Sequence, residues 1–279
     1  MIQAPAATRI FIAAAFLLAL PLAAAAQQPS AQRPGSPAGP APKKDWDIRI
    51  GGAAFYQPKY EGSDQYKASA LPLLMINYRD LVFLRGTTLG VNAFTAQGVR
   101  PGDKLQIGPL VNYRFGRDES DSDDLRGMGD IDGAVELGGF VNYGFGPWSA
   151  GLTVLRDVSD SHDGLTAKFS GGHRLPLGPK WMLRSEFFAT WADENYNKAF
   201  FGVTAAQSAR SGLRQYQPDG GFKDAGVTLD LDYRLTEKWS LTGRAGYKRL
   251  LGDAADSPLV KDRGTPNQLS TGVFVGYRF

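Results

Sequence analysis

Residues 225–235 read AGVTLDLDYRL, with Val227, Leu229, Leu231, Tyr233 and Leu235 on one side of an extended chain and Thr228, Asp230, Asp232 and Arg234 on the other. A period of two marks a strand with one apolar and one polar face, because successive side chains leave opposite faces. The alternation recurs in 133–145, where Val135, Leu137, Val141, Tyr143 and Phe145 oppose Glu136 and Asn142, and again from Leu269 to Phe279. In a soluble sandwich the apolar face is the core. In a membrane barrel it meets lipid, and the polar face lines the lumen.

Strand length and turn asymmetry separate the two. Segments 104–115, 133–145, 165–175, 181–191, 225–235 and 239–250 run beyond the ~5–6 residues usual in soluble sheets. They reach the ~9–11 tilted residues that cross a bilayer. Tight connections at 145–148, 177–180 and 236–238 alternate with long loops at 116–131, 192–222 and 252–266. Short periplasmic turns opposite long external loops are the outer-membrane pattern. Phe145, Trp148, Trp181, Trp239 and Phe279 sit beside the tight turns, where an interfacial aromatic girdle belongs. The expected fold is all-β: a closed antiparallel transmembrane β-barrel over 46–279, in the outer membrane of a Gram-negative cell. Twelve strands are expected, with ten as the alternative. The strand count turns on Leu81–Phe94, which reads as two short strands or one long strand kinked at Gly86. Twelve puts both chain ends in the periplasm and every long loop outside.

The segments before the barrel carry no such pattern. Arg9, the apolar run Ile10–Leu22 and Ala24-Ala25-Ala26 make residues 1–26 an expected signal peptide. Residues 27–45, with prolines at 29, 34, 37, 40 and 42, read as an extended periplasmic linker. The mean hydropathy of −0.26 suits a barrel, whose alternation averages out. With no cysteine, disulfides and a lipidated N-terminal cysteine are excluded. Lys and Arg total 31 against 28 acids, with no basic run interleaved with aromatics, so nucleic acid is not an expected partner.

The long loop after Trp191 has a specific string. Tyr196-Asn197, Phe200-Phe201-Gly202-Val203, then Gln207-Ser208-Ala209-Arg210-Ser211-Gly212-Leu213 and Tyr216-Gln217-Pro218 resemble the "YYGV…SARSGL…Y.P" stretch of the MipA/OmpV (MltA-interacting protein) family. Leu71-Pro72-Leu73 with Ile76-Asn77-Tyr78, Arg85-Gly86, and Asp256–Val260 with Ser270-Thr271-Gly272 are similar to further family stretches. The resemblance covers roughly 46–279. It implies an outer-membrane protein that is, in the type member, a non-enzymatic scaffold linking a murein lytic transglycosylase to a penicillin-binding synthase. A narrow small-solute pore and a lipid-acting barrel enzyme are the alternatives.

Other expected partners are outer-membrane lipid, lipopolysaccharide and the barrel-insertion machinery. The last would read Tyr277 and Phe279 as an assembly signal, although Phe274 stands where that signal usually has glycine. No catalytic, cofactor or metal residues are assigned. Ser159, Ser161 and His162 supply residue types for a hydrolase, but neighbours in one loop rarely converge as a triad must. His173 falls on an apolar strand face. Asp118–Asp124 with Asp130 and Asp132 form an acidic loop that lacks a complete calcium-loop spacing. Finally, Glu136, Glu186, Asp230 and Asp232 fall on inward faces beside Arg184 and Arg234, and unpaired charges there are costly. Arg210 and Arg214 are expected to fold into the mouth and pair with these acids, narrowing any pore; a mobile external loop is the alternative.

Overall fold

The alternating segments become twelve antiparallel strands in one closed sheet. The computed structural model describes residues 45–98, 100 and 102–279. The expected signal peptide, and the expected linker apart from Asp45, lie outside them. The strands are β1 (Trp46–Pro58), β2 (Tyr66–Tyr78), β3 (Val82–Arg85), β4 (Thr88–Val91, resuming at Phe94–Gln97), β5 (Lys104–Arg114) and β6 (Ala134–Phe145). They continue as β7 (Trp148–Asp157), β8 (Leu165–Pro176), β9 (Trp181–Ala192), β10 (Gly221–Arg234), β11 (Trp239–Leu250) and β12 (Asn267–Arg278). Each pairs with its sequence neighbours, and β1 closes on β12 in the register Arg49↔Arg278 to Tyr56↔Thr271. Among the described residues no helix is long and apolar enough to cross a membrane.

The Leu81–Phe94 stretch is two strands. Gly86, at φ 60°, takes the left-handed turn conformation that joins β3 to β4. The two parts of β4 pair with residues 110–112 and 104–107 of β5, and the extra residue between them is a bulge at Val91–Ala93. Asn92 anchors that bulge, donating its amide N–H to Leu81 O and its side-chain N–H to Asp80 O.

The placement of apolar side chains decides between sandwich and membrane barrel. Leu229, Leu231, Val273, Val275, Phe187 and Leu269 all point outward and are exposed. The inward faces carry Asp230, Arg244, Glu186, Lys168 and Ser170 instead. An apolar exterior around a polar interior is stable only where the exterior meets hydrocarbon. Aromatic pairs mark both edges of that band. At the tight-turn end Trp46 packs on Tyr78 (4.4 Å), Trp148 on His173 (4.1 Å), Trp181 on Tyr233 (4.3 Å) and Trp239 on Tyr277 (5.1 Å). At the other end Tyr56 stacks on Tyr66 at 5.2 Å. His173 is therefore a girdle residue. Strong coiling of the wall brings backbones close: a Cβ on inward-facing Gly51 would lie 1.8 Å from Val275 O.

Leu229 lies between the girdles on the lipid side. Leu229→Arg should cost about 2–4 kcal/mol, the depth-dependent penalty for a cation facing hydrocarbon. The check is the temperature at which the folded band on an unheated gel converts to the slow-migrating form, which should fall clearly below that of wild type.

Candidate functional site

Two of the three buried apolar clusters lie in the external loops, and the third, Phe83, Leu110 and Phe140, lies on the inward face of the wall. Loop 193–220 contains α1 (Glu194–Phe201) and α2 (Ala205–Ser211), and loop 251–266 contains α3 (Gly252–Asp256) and α4 (Pro258–Lys261). Local signals set these helices. Asp193 caps α1 by accepting from Tyr196 N. Thr204 and Gln207 form a capping box on α2, and Gly212 ends it in the left-handed conformation. One apolar cluster joins Tyr196, Phe200 and Phe201 of α1 to Leu250, Ala254 and Val260; a second joins Val203 and Leu213 to Tyr60, Leu125, Met128 and Leu259. Four loops thus contribute to these two clusters and form a cap over the barrel mouth.

The family-like string is a buckle within that cap. Ser208 Oγ donates to Leu213 O (2.6 Å), and Ser211 Oγ accepts from Leu213 N, so the chain turns at Gly212 and buries Leu213. Phe201 is fully buried, and Ser257 Oγ donates to its carbonyl at 2.6 Å. A Cβ on Gly202 would come within 2.4 Å of Lys198 O. Ala209 and Arg210 stay exposed.

Under the cap runs a network of charges. Glu61, from the β1–β2 loop, accepts from Lys223 Nζ (2.7 Å) and from Lys248 Nζ, and Lys223 also binds Asp224 (2.6 Å). The Tyr196 hydroxyl of α1 donates to Glu61 Oε2 (3.3 Å) and accepts from Arg114 Nη1 (3.4 Å). Arg114 in turn pairs with buried Glu136 at 2.7 Å, which also accepts from Asn112 Nδ2 at 2.7 Å. The three carboxylates and three cations balance. Wall strands β5, β6, β10 and β11 are thereby tied through one tyrosine to the helix that covers the lumen. Burial works to raise the Glu61 pKa, but Lys223 and Lys248 override it and hold the carboxyl well below the usual carboxylate range. Burial, with Glu61 alongside, pushes the Tyr196 hydroxyl up to about 12.

Beneath lies a ladder of cross-strand pairs. Arg244 holds Asp230 with two hydrogen bonds (2.6 and 2.8 Å), Arg184 reaches Asp232 (2.6 Å) and Asp230 (3.5 Å), and Lys168 pairs with Glu186. Glu136, Glu186, Asp230 and Asp232 all point inward, but Arg210 and Arg214 do not serve them. Arg210 Nε donates to Gly127 O (3.3 Å) and Arg214 Nη2 to Asp256 O (3.2 Å). The expected pairing is corrected for a geometric reason. Asp230 already faces Arg184 on β9 and Arg244 on β11 in the strand register, one strand spacing away.

The other sequence candidates separate. His162 is buried between Tyr196 and Phe200, its Nδ1 accepts from Gly164 N (3.1 Å), and its Nε2 faces Glu136 at 3.6 Å. Ser159 Oγ donates to Asp157 and Ser161 Oγ to Asp132 O, so neither serine is turned to that imidazole. Asp157 instead organises the loop by accepting the amides of Ser159, Ser161, His162 and Asp163. In the acidic loop, Glu119 accepts from Gly127 N and Gly129 N, Asp121 pairs with Lys67, and Asp124 accepts from Gln65. No group of ligands suited to a metal ion occurs among the described residues. Tyr277 packs between Trp239 and Phe279, whose amide donates to Ile48 O (3.1 Å).

A twelve-stranded barrel with lipid-facing aromatic girdles, a charged lumen and a mouth capped by its own loops defines an outer-membrane barrel protein. The family model described as MltA-interacting protein MipA matches residues 50–279, and the chain belongs to that family. It is 29% identical over 217 residues to the MltA-interacting protein of Escherichia coli strain K12, covering 75% of this chain and 82% of that one. It is 28% identical over 232 residues to the E. coli K12 outer membrane protein YiaT, covering 81% and 89% respectively. It is similar in structure to the COG4313 outer membrane channel of Pseudomonas putida F1, with a TM-score of 0.42 and 12% identity over 90% of this chain and all of the other.

The depressed Glu61 pKa fixes a pH dependence. A carboxylate more acidic when folded than when unfolded stabilises the fold above its unfolded value, and that contribution is lost as pH falls through the folded one. Heat-modification temperature should therefore drop on acidification below about pH 4.3, the ordinary glutamate value. Glu61→Gln should lower it at pH 7 and leave less of it to lose in acid.

Proposed function

We propose that this protein is a non-catalytic binding protein of the outer membrane that anchors a murein-remodelling enzyme at its periplasmic face. The observation that carries this reading is the cap. The external mouth is filled by the chain's own helices, which are ion-paired to the wall through Glu61, Lys223 and Lys248. A mouth covered by packed, ion-paired loops does not suit an open solute pore. It leaves the rim of tight turns, with exposed Arg79, Lys180 and Lys238, and the segment 27–44 as surfaces for a periplasmic partner.

The relative named MltA-interacting protein supports a lytic transglycosylase as that partner. A partner of the sacculus meets this protein only from the periplasmic side, so the contact falls on the turns or the Pro-rich segment and not on the cap.

Purified lytic transglycosylase, passed over the immobilised full-length mature protein in detergent, should be retained. Retention should fall at least several-fold on deleting 30–42 or on charge reversal at Lys180 and Lys238. If binding survives all of these and disappears on changing 204–216, the periplasmic contact is wrong.

A further inference from the structure

The β3–β4 hairpin is too short to complete the wall. β2 runs from Tyr66 to Tyr78, yet β3 pairs only with Met75–Tyr78. The hairpin's last links are Gly86 N to Leu74 O (3.3 Å) on one side and Tyr113 N to Thr87 O (3.1 Å) on the other. Above Leu74, the edge of β2 has no strand partner among the described residues. The gap to β5 at that level is about three strand spacings, roughly 14 Å. The peptide groups of Ala68, Ala70 and Pro72 lie on the same side as Leu74 O, so they face this gap. Pro72 removes one donor there, as edge strands do to discourage strand addition. Overhead, Lys67 pairs with Asp121 (2.9 Å) and Gln65 with Asp124 (2.8 Å), which closes the top of the opening with the β5–β6 loop.

Unpaired backbone cannot face hydrocarbon without a cost of several kcal/mol per group, but it is tolerated where it lines a wet cavity. The lumen face behind this window is apolar, unlike the ion-paired ladder that runs from β8 to β11. Leu71, Leu73 and Met75 point inward from β2, in register with the inward positions Ala53, Gly51 and Arg49 of β1, and Leu71 is 46% exposed despite facing in. Phe55 and Phe274 extend this apolar patch, edge to face at 5.2 Å. At the base of the window, Arg85 points inward from β3, and Arg174 points inward from β8. Neither makes an ion pair among the described residues, in contrast to the paired Arg184 and Arg244.

We propose that this window is a lateral portal through which a single-chain anionic amphiphile of the outer leaflet enters the lumen. Its acyl chain lies on the Leu71–Met75 patch and its carboxylate or phosphate is held by Arg85. An apolar strip beside a guanidinium that stands over the Phe83 ring (4.5 Å) and makes no ion pair among the described residues matches the two ends of such a molecule, and a guanidinium binds either anion with paired hydrogen bonds. The portal opens to the membrane and not to the capped mouth, so it works while the cap stays shut.

The chain has no cysteine, which allows single-site labelling. Bimane on Leu71→Cys or Leu73→Cys, in the full-length mature protein in phosphatidylcholine nanodiscs, is titrated with doxyl-labelled stearate. The controls are Leu74→Cys, facing lipid, and Ser170→Cys, facing the lumen from β8. Both inward β2 sites should quench to nearly the extent of Leu74→Cys and several-fold more than Ser170→Cys. Quenching at these sites should saturate, and Arg85→Ala should shift its midpoint upward at least fivefold. Doxyl-labelled dodecyl phosphate should quench as stearate does if any anionic head is taken, and more weakly if Arg85 selects carboxylates. Quenching at Leu71→Cys and Leu73→Cys no greater than at Ser170→Cys would overturn the portal. A midpoint unmoved by Arg85→Ala would overturn the bound amphiphile, as would disulfide-linked dimers of Ala70→Cys, which would put a second copy on this edge.

Discussion

Backbone hydrogen bonding inside hydrocarbon governs this molecule. No water is available there to satisfy an orphan N–H or C=O, so a sheet that crosses the bilayer has to close on itself. The register of β1 with β12 does this, and the side-chain alternation follows from it. Once the sheet is closed, every strand presents one face to lipid and one to the lumen, and a charge on the wrong face is penalised at every position. The short β3–β4 hairpin is the one place among the described strands where closure is incomplete along the height of the wall. Pro72 and the inward leucines cluster beside it.

A closed wall creates the second problem, a narrow charged interior. Here the ladder spacing solves it. Antiparallel neighbours on the inward face stand one strand apart, within reach of a guanidinium, and Arg184, Asp230 and Arg244 occupy directly opposed positions on three consecutive strands. At the external end no further strand neighbour exists, and the loops take over. Glu61 comes from a loop, Tyr196 from a helix, and Lys223, Lys248 and Arg114 from the strand tops. Removing one member of such a buried set strands its partner, which is why breaking one costs about 3–5 kcal/mol. Lys223 and Asp224 are almost entirely shielded, so the cap is anchored where that penalty is largest.

Period-two residues were legible because closure demands them. Even β3 and β4, four residues each in their first segments, show in the sequence as a pair of short runs around Gly86. The direction of Glu136, Glu186, Asp230 and Asp232 follows from the same alternation, but their partners do not, because a partner is set by register. Arg210 and Arg214 looked available only while Arg244 and Lys168 were not aligned with those acids. Glu61, Lys223 and Lys248 carry no local signal: they meet across 162 and 187 residues of chain. The bulge at Thr190/Trp191 also breaks the phase that would have placed Lys223. The helices of the cap, by contrast, left readable marks. Asp193 before α1, Thr204 with Gln207, and Gly212 after α2 are ordinary start and stop signals within what reads as one long loop.

Loops locked to the wall through the Glu61–Lys223–Lys248 group cover the external mouth. Ion conductance across a planar lipid bilayer tests this most directly. Little steady current is expected through the wild-type protein at pH 7, and a several-fold increase when Glu61→Ala and Tyr196→Ala release α1 while folded-band migration persists. A wild-type protein that conducts steadily, with a current unaltered by those substitutions, would contradict it.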